Sequence, residues 1–197
     1  MTNPLSPTHS SQSDIALVHD YLNQYGGAER VLEACVHEKL DDEGLSGVAG
    51  ALDGYIVPKS WYAGLIAHAR GDASTARTAF ERAKQAVADD LAHCSEDAKS
   101  LAMLAMIHAQ LGEKNDALRA AARASELLPI SSDSFDGPIL ATTLAAVSTK
   151  LGDKDSAIQQ LQSLVGIPNG PTPGTLRVEP EWDFLRDDPR FKKLAAG

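Results

Sequence analysis

The sequence predicts an all-α protein, an α-solenoid of about three helical hairpins stacked in chain order and closed by a C-terminal cap. Three observations carry that reading. Alanine is abundant while aromatic residues make up only 5% of the 197 positions. Ala costs least in a helix and lets helix axes approach closely. Apolar residues recur at spacings of three and four, as in Leu101, Leu104, Ala105, His108 and Leu111, which places them on one helix face. Finally, three segments align: HARGDASTARTAF (68–80), AQLGEKNDALRAA (109–121) and TKLGDKDSAIQQL (149–161).

In each segment a glycine (Gly71, Gly112, Gly152) is followed five positions later by an alanine (Ala76, Ala117, Ala157). Four residues further comes Phe80, Ala121 or Leu161, and three beyond that Ala83, Ala124 or Leu164. The glycines stand 41 and 40 residues apart. Glycine ends the first helix because it reaches positive φ without a Cβ clash. An acidic residue follows at once, where the start of the second helix favours a carboxylate. The small residue at the alanine position allows the two helices to pack tightly. Neither helix can bury its apolar face alone, so hairpins stack into a continuous core.

Taken in chain order, residues 1–13 are polar, carry two prolines and read as a disordered tail rather than a secretory signal. Residues 14–50 form a separate N-terminal fragment and linker. Ile15–Val18 is a short apolar run, a Gly-Gly turn follows, and Ala28–Leu40 is amphipathic. Strand, glycine turn and helix open a Rossmann-like half. Residues 41–57 contain four glycines and join this part to the repeats. In the first repeat, the run from Ser74 to Asp90 has no Gly or Pro, so a long second helix is expected. In the second, Pro129 falls where a helix must stop. Between the second and third, LPISSDSFDGP reads as a longer loop. From about residue 168, Leu176, Trp182, Phe184, Leu185, Pro189 and Phe191 supply a terminal cap, which a repeat stack needs to cover its last apolar face.

The repeats resemble the tetratricopeptide repeat. Leu101, Leu104, Ala105, Gly112, Ala117, Ala121, Ala124 and Pro129 follow its pattern in order. Ala63, Gly64, Gly71, Ala76, Phe80 and Ala83 match in the first unit, and Leu144, Ala145, Gly152 and Ala157 in the third. With its closing stretch, residues 51–197 look like the repeat domains found C-terminally in bacterial signalling proteins. That resemblance implies a protein–protein interaction module, a scaffold or adaptor in the cytoplasm with no catalysis of its own. It also implies a concave groove lined by the first helix of each hairpin. Its register assigns Trp61, Leu65 and His68 to the groove from the first hairpin. Lys99, Ala102, Met106 and Gln110 come from the second, and Thr142, Ala146, Thr149 and Lys150 from the third. This mixed strip suits an extended or helical peptide, and Trp61 is the expected anchor. The alternative is that these positions pack against the N-terminal segment or a second copy of the chain.

The stretch ALVHDYLNQYGGAERVLEA resembles the start of B-type glycosyltransferases that use nucleotide sugars. The resemblance implies that Gly26 and Gly27, preceded by His19 and Asp20, approach a phosphate through backbone N–H groups. No further βαβ pattern follows, and a lone strand cannot form a sheet. A transferase fragment is therefore the alternative function. A fused chain whose repeats serve only as scaffold is a third.

Composition sets further limits. Hydrophobic residues are 43% and charged residues 23%, which excludes wholesale disorder. A net charge of −9 argues against a nucleic-acid partner, whose phosphates need clustered Lys and Arg. No apolar run approaches the roughly 18 residues of a membrane span. Cys35 and Cys94 read as two reduced thiols. Asp89, His93 and Cys94 lie close together but lack a second spaced pair of ligands, so a helix end is expected there, and no metal or cofactor is assigned. His108 occupies a core slot and reads as a packed, hydrogen-bonded imidazole. No GxSxG, P-loop or GxGxxG motif occurs.

Overall fold

The helices follow from the punctuation of the sequence. In the computed structural model, residues 57–197 are described, apart from Cys94. Among them every regular element is helical: α1 (Lys59–Ala69), α2 (Ala73–His93), α3 (Ala98–Leu111), α4 (Lys114–Leu127), α5 (Asp136–Lys150), α6 (Lys154–Leu164), α7 (Pro173–Val178), a 3-10 helix (Pro180–Leu185) and α8 (Pro189–Ala196). The tail 1–13, the segment 14–50 with His19, Asp20, Gly26, Gly27 and Cys35, and Cys94 lie outside the described residues.

Three turns are built identically. Gly71, Gly112 and Gly152 have φ of 78°, 77° and 79°, the left-handed region that only glycine enters without strain. In each, the glycine N–H donates to the carbonyl three residues back, and the next N–H donates to the carbonyl five back. The first set is Gly71 to His68 and Asp72 to Ala67, at 3.0 and 2.9 Å; the second, Gly112 to Ala109 and Glu113 to His108, at 3.2 and 2.9 Å; the third, Gly152 to Thr149 and Asp153 to Ser148, both at 3.0 Å. These bonds satisfy the carbonyls that a helix end would leave without partners.

The expected long second helix is present as the 21 residues of α2. α4 stops before Pro129, and residues 128–135 form the longer connection to α5. There the Asp133 carboxylate accepts from the backbone N–H groups of Phe135 (2.8 Å) and Asp136 (2.9 Å), starting α5.

Helices pack in chain order, α1 on α2, α2 on α3, α3 on α4 and α5 on α6, with α3 also lying against α5. α3 is central. Met103 and Ile107 join Phe80, Ala83 and Val87 of α2 in one cluster. Ala98 and Ala102 join Ala124 of α4 and Leu140 and Leu144 of α5 in a second. Ala105 and Ala109 meet Ala117, Ala120 and Val147 in a third. A helix apolar around most of its circumference is a buried one. The close contacts need small residues: a Cβ on Gly64 of α1 would stand 2.5 Å from Cε1 of Phe80.

The cap completes the core. Leu176, Trp182, Leu185 and Phe191 share one cluster with Ala145 and Ala146 of α5 and Ala157, Ile158 and Leu161 of α6. Trp182 is 1% exposed, and its Nε1–H donates to Glu179 Oε2 at 3.1 Å. The 3-10 helix lies on α5, and α8 lies on α6 and α7. Phe184 departs from the expected inward set. It is half exposed, and Lys154 Nζ sits 4.3 Å from its ring centroid. A 3-10 helix of three residues per turn turns Trp182 and Leu185 inward together and leaves Phe184 outside.

Two substitutions test this packing. Gly64→Ala forces a methyl group into the Phe80 ring and should cost about 1–3 kcal/mol. Trp182→Ala removes the centre of the cap and should cost about 3–5 kcal/mol. Urea unfolding followed by circular dichroism measures both.

Candidate functional site

The strip assigned to the first helices divides by burial. Trp61 is 8% exposed and packs against Phe80, ring centroids 5.4 Å apart at 54°. It belongs to the core between α1 and α2 rather than to an open surface. The helical spacing that put it on the strip left its rotation about α1 open by one residue, and Phe80 settles that rotation. Ala102, Ala146 and Thr149 are also buried. Ala146 is covered because the Trp182 cluster of the cap lies on α5. The Thr149 hydroxyl donates to the Ala145 carbonyl at 2.9 Å.

Lys99 is engaged as well: its Nζ is 2.8 Å from Asp136 Oδ2, tying the starts of α3 and α5 together. Thr142 is half-buried and donates to the Pro138 carbonyl at 2.8 Å. Leu65, Met106 and Gln110 are half-buried, and His68 and Lys150 are exposed. Met106 touches three of the core clusters. Desolvation pushes the Lys150 ammonium below its usual range even though the residue as a whole is exposed at the end of α5. Gln110 Oε1 is buried without a hydrogen-bond partner, a costly state for an amide oxygen. The accessible part of the strip is therefore Leu65, His68, Met106, Gln110, Thr142 and Lys150.

No family model, curated protein or solved structure matches this chain. The site therefore rests on its own geometry.

A second feature lies at the middle turn, and the repeat supplies its own control. In the first turn Asp72 caps α2, accepting from the Thr75 N–H (3.0 Å), the Thr75 hydroxyl (2.6 Å) and the Ser74 hydroxyl (2.8 Å). In the third, Asp153 accepts from the Ser156 N–H (3.0 Å) and its hydroxyl (2.8 Å). The middle turn has Glu113 where the others have Asp, and Asp116 where the others have Thr75 or Ser156. A carboxylate at that place has no hydroxyl to donate. Glu113 makes no side-chain cap and turns elsewhere. Its Oε2 is 2.5 Å from His108 Nδ1, and its Oε1 is 2.9 Å from Lys84 Nζ. Lys84 also meets Glu81 at 2.7 Å. His108 is thus the packed, bonded imidazole expected of its slot, with 14% of its side chain exposed.

The electrostatics follow. Partial desolvation works to raise the Glu113 carboxyl, but hydrogen bonds from Lys84 and His108 outweigh it and hold the group below its ordinary range. For Lys84 desolvation works downward, and the two carboxylates reverse it. His108, Glu113 and Asp116 bring one ligand-type atom each within 4.8 Å of one another. Sequence reading passed over this set, because its members are split across a turn and match no recognised ligand spacing. The group Asp89, His93 and Cys94 gives a helix end instead: His93 Nδ1 is 2.8 Å from the Asp89 carbonyl oxygen, and Cys94 is not described.

A pocket of about 370 Å³ opens at the cap between Arg177, Arg186, Phe191 and Lys192. Both arginines there are structural. Arg177 donates to the Ala195 carbonyl at 2.7 Å. Arg186 donates to the carbonyls of Arg177 and Glu179 and pairs with Asp183. Nearby, Asp188 caps α8, and the Arg190 side chain holds its carboxyl down to about 2. Hydrogen bonds from Thr75 do the same for Asp72, also to about 2.

A folded-state pKa below the unfolded one stabilises the fold above the unfolded value, and that contribution fades as pH falls through the folded value. Asp72→Ala and Asp188→Ala should therefore lower the urea midpoint at pH 7. The gap from wild type should shrink between about pH 4 and pH 2. A gap that stays constant over that window contradicts the assignment.

Proposed function

We propose that the chain is a protein-binding module of the tetratricopeptide type, a scaffold or adaptor to which no catalytic step is assigned. The observation that carries the reading is the threefold turn: one left-handed glycine with the same pair of backbone bonds joins α1 to α2, α3 to α4 and α5 to α6. Hairpins joined in this way and packed in chain order act as a repeat stack, whose natural product is an extended surface rather than an enclosed cavity. The first helices α1, α3 and α5 present Leu65, His68, Met106, Gln110, Thr142 and Lys150. These offer apolar contact, hydrogen bonding and one exposed cation to an extended or helical peptide segment. The acidic balance of the chain is compatible with a protein partner and unfavourable for nucleic acid. No helix among the described residues is long and apolar enough to cross a membrane.

The test is selection of a random-peptide library on the full chain, followed by titration of synthesised winners by fluorescence anisotropy. His68→Glu and Lys150→Glu should weaken binding at least tenfold. Gln162→Glu, on the exposed face of α6, should leave it unchanged. If no peptide is enriched, or if the winners bind all three variants alike, the surface is not a groove for peptides.

A further inference from the structure

We propose that the middle turn is a binding site for a divalent transition-metal ion, held by His108 Nδ1 and the carboxylates of Glu113 and Asp116. The three turns share one backbone, so their differences isolate what this one has been given. Four residues before the glycine stand Ala67, His108 and Ser148; one after it, Asp72, Glu113 and Asp153; four after it, Thr75, Asp116 and Ser156. At the second and third places the middle turn departs from a pattern the other two share, giving up the side-chain cap that they keep, and at the first it alone carries an imidazole. The three departures are the residues whose donor atoms converge within 4.8 Å. Local rules broken together at one place, in a sequence that obeys them elsewhere, mark a place with another task.

The donor chemistry is specific. One imidazole nitrogen and two carboxylate oxygens suit ions such as Zn²⁺ or Co²⁺ better than Ca²⁺ or Mg²⁺, which prefer all-oxygen shells. Bonds of about 2.0–2.2 Å to nitrogen and oxygen place neighbouring ligands roughly 3.3–3.6 Å apart. Side-chain adjustments within the present group reach that spacing. Three protein ligands leave a coordination position for water. Exposure rises from His108 at 14% through Glu113 at 27% to Asp116 at 41%, so an ion enters past Asp116 and seats against His108.

The cations now touching these carboxylates do not bar the site. Lys84 keeps Glu81 at 2.7 Å when Glu113 turns to the ion. Arg119 pairs with Asp116 across an exposed turn of α4, the kind of contact that contributes little. Nδ1, which now faces Glu113, must offer its lone pair to the ion, so in the loaded site the ring proton sits on Nε2.

Isothermal titration of the full chain with Zn²⁺ at pH 7.5 tests the proposal, with melting temperatures recorded at each step. Wild type should bind one ion at this site with micromolar affinity and melt at a higher temperature once loaded. Asp116→Asn should lose at least tenfold in affinity while melting like wild type without metal, since Asp116 is exposed. His108→Gln, which keeps a hydrogen-bonding group toward Glu113, should lose at least as much. Zn²⁺ heats that are the same in wild type and both variants place the ion elsewhere and overturn the proposal, as does the absence of heat up to millimolar Zn²⁺.

Discussion

The structure depends on the approach of helices to α3. Ala98, Ala102, Ala105 and Ala109 line that helix and are all nearly or fully buried. A side chain of one carbon lets α4 and α5 come near α3, so that dispersion contacts accumulate over a wide area, while α2 meets the same helix through Met103 and Ile107. The chain has few aromatics, and before the cap the buried ones are Trp61 and Phe80 of the first hairpin. Around α3, small side chains and dense packing supply much of the contact. At the cap, Trp182 and Phe191 fill the space beside α5 and α6.

Much of this was legible in the sequence, for a physical reason. A left-handed helix end leaves few alternatives to glycine, so Gly71, Gly112 and Gly152 announced three turns. Helix extents between them followed from the absence of Gly and Pro, as in α2, or from Pro129 after α4. Rotation about each helix axis was less legible. Spacings of three and four define a face, but they do not say how far that face turns toward its neighbour. Trp61 was placed on the strip on that basis, whereas contact with Phe80 carries it into the core. Ala146 is lost to the strip for a different reason. What covers α5 is a 3-10 helix more than 30 residues further on, and periodicity within α5 contains no trace of it.

The middle turn was legible only in retrospect. His108, Glu113 and Asp116 are unremarkable as a spacing. They acquire meaning when set against their counterparts in the flanking turns, where Asp72 and Asp153 do the ordinary work of capping. A glutamate is one methylene longer than an aspartate. At this position that length carries the carboxylate past the helix start and onto residues of α2 and α3. The tie from Lys84 to Glu113, with His108 on the same carboxylate, adds a polar link among α2, α3 and the start of α4 to the apolar contacts there.

The sheathing of α3 also bears on how the sequence can drift. Its four alanines face α4 and α5 while Met103 and Ile107 face α2, so enlarging any of the four strains the boundary with α4 and α5. The outer faces of α2, α4 and α6 carry no such restriction. Variation among descendants of this chain should accordingly gather on the second helix of each hairpin, while α3 changes last.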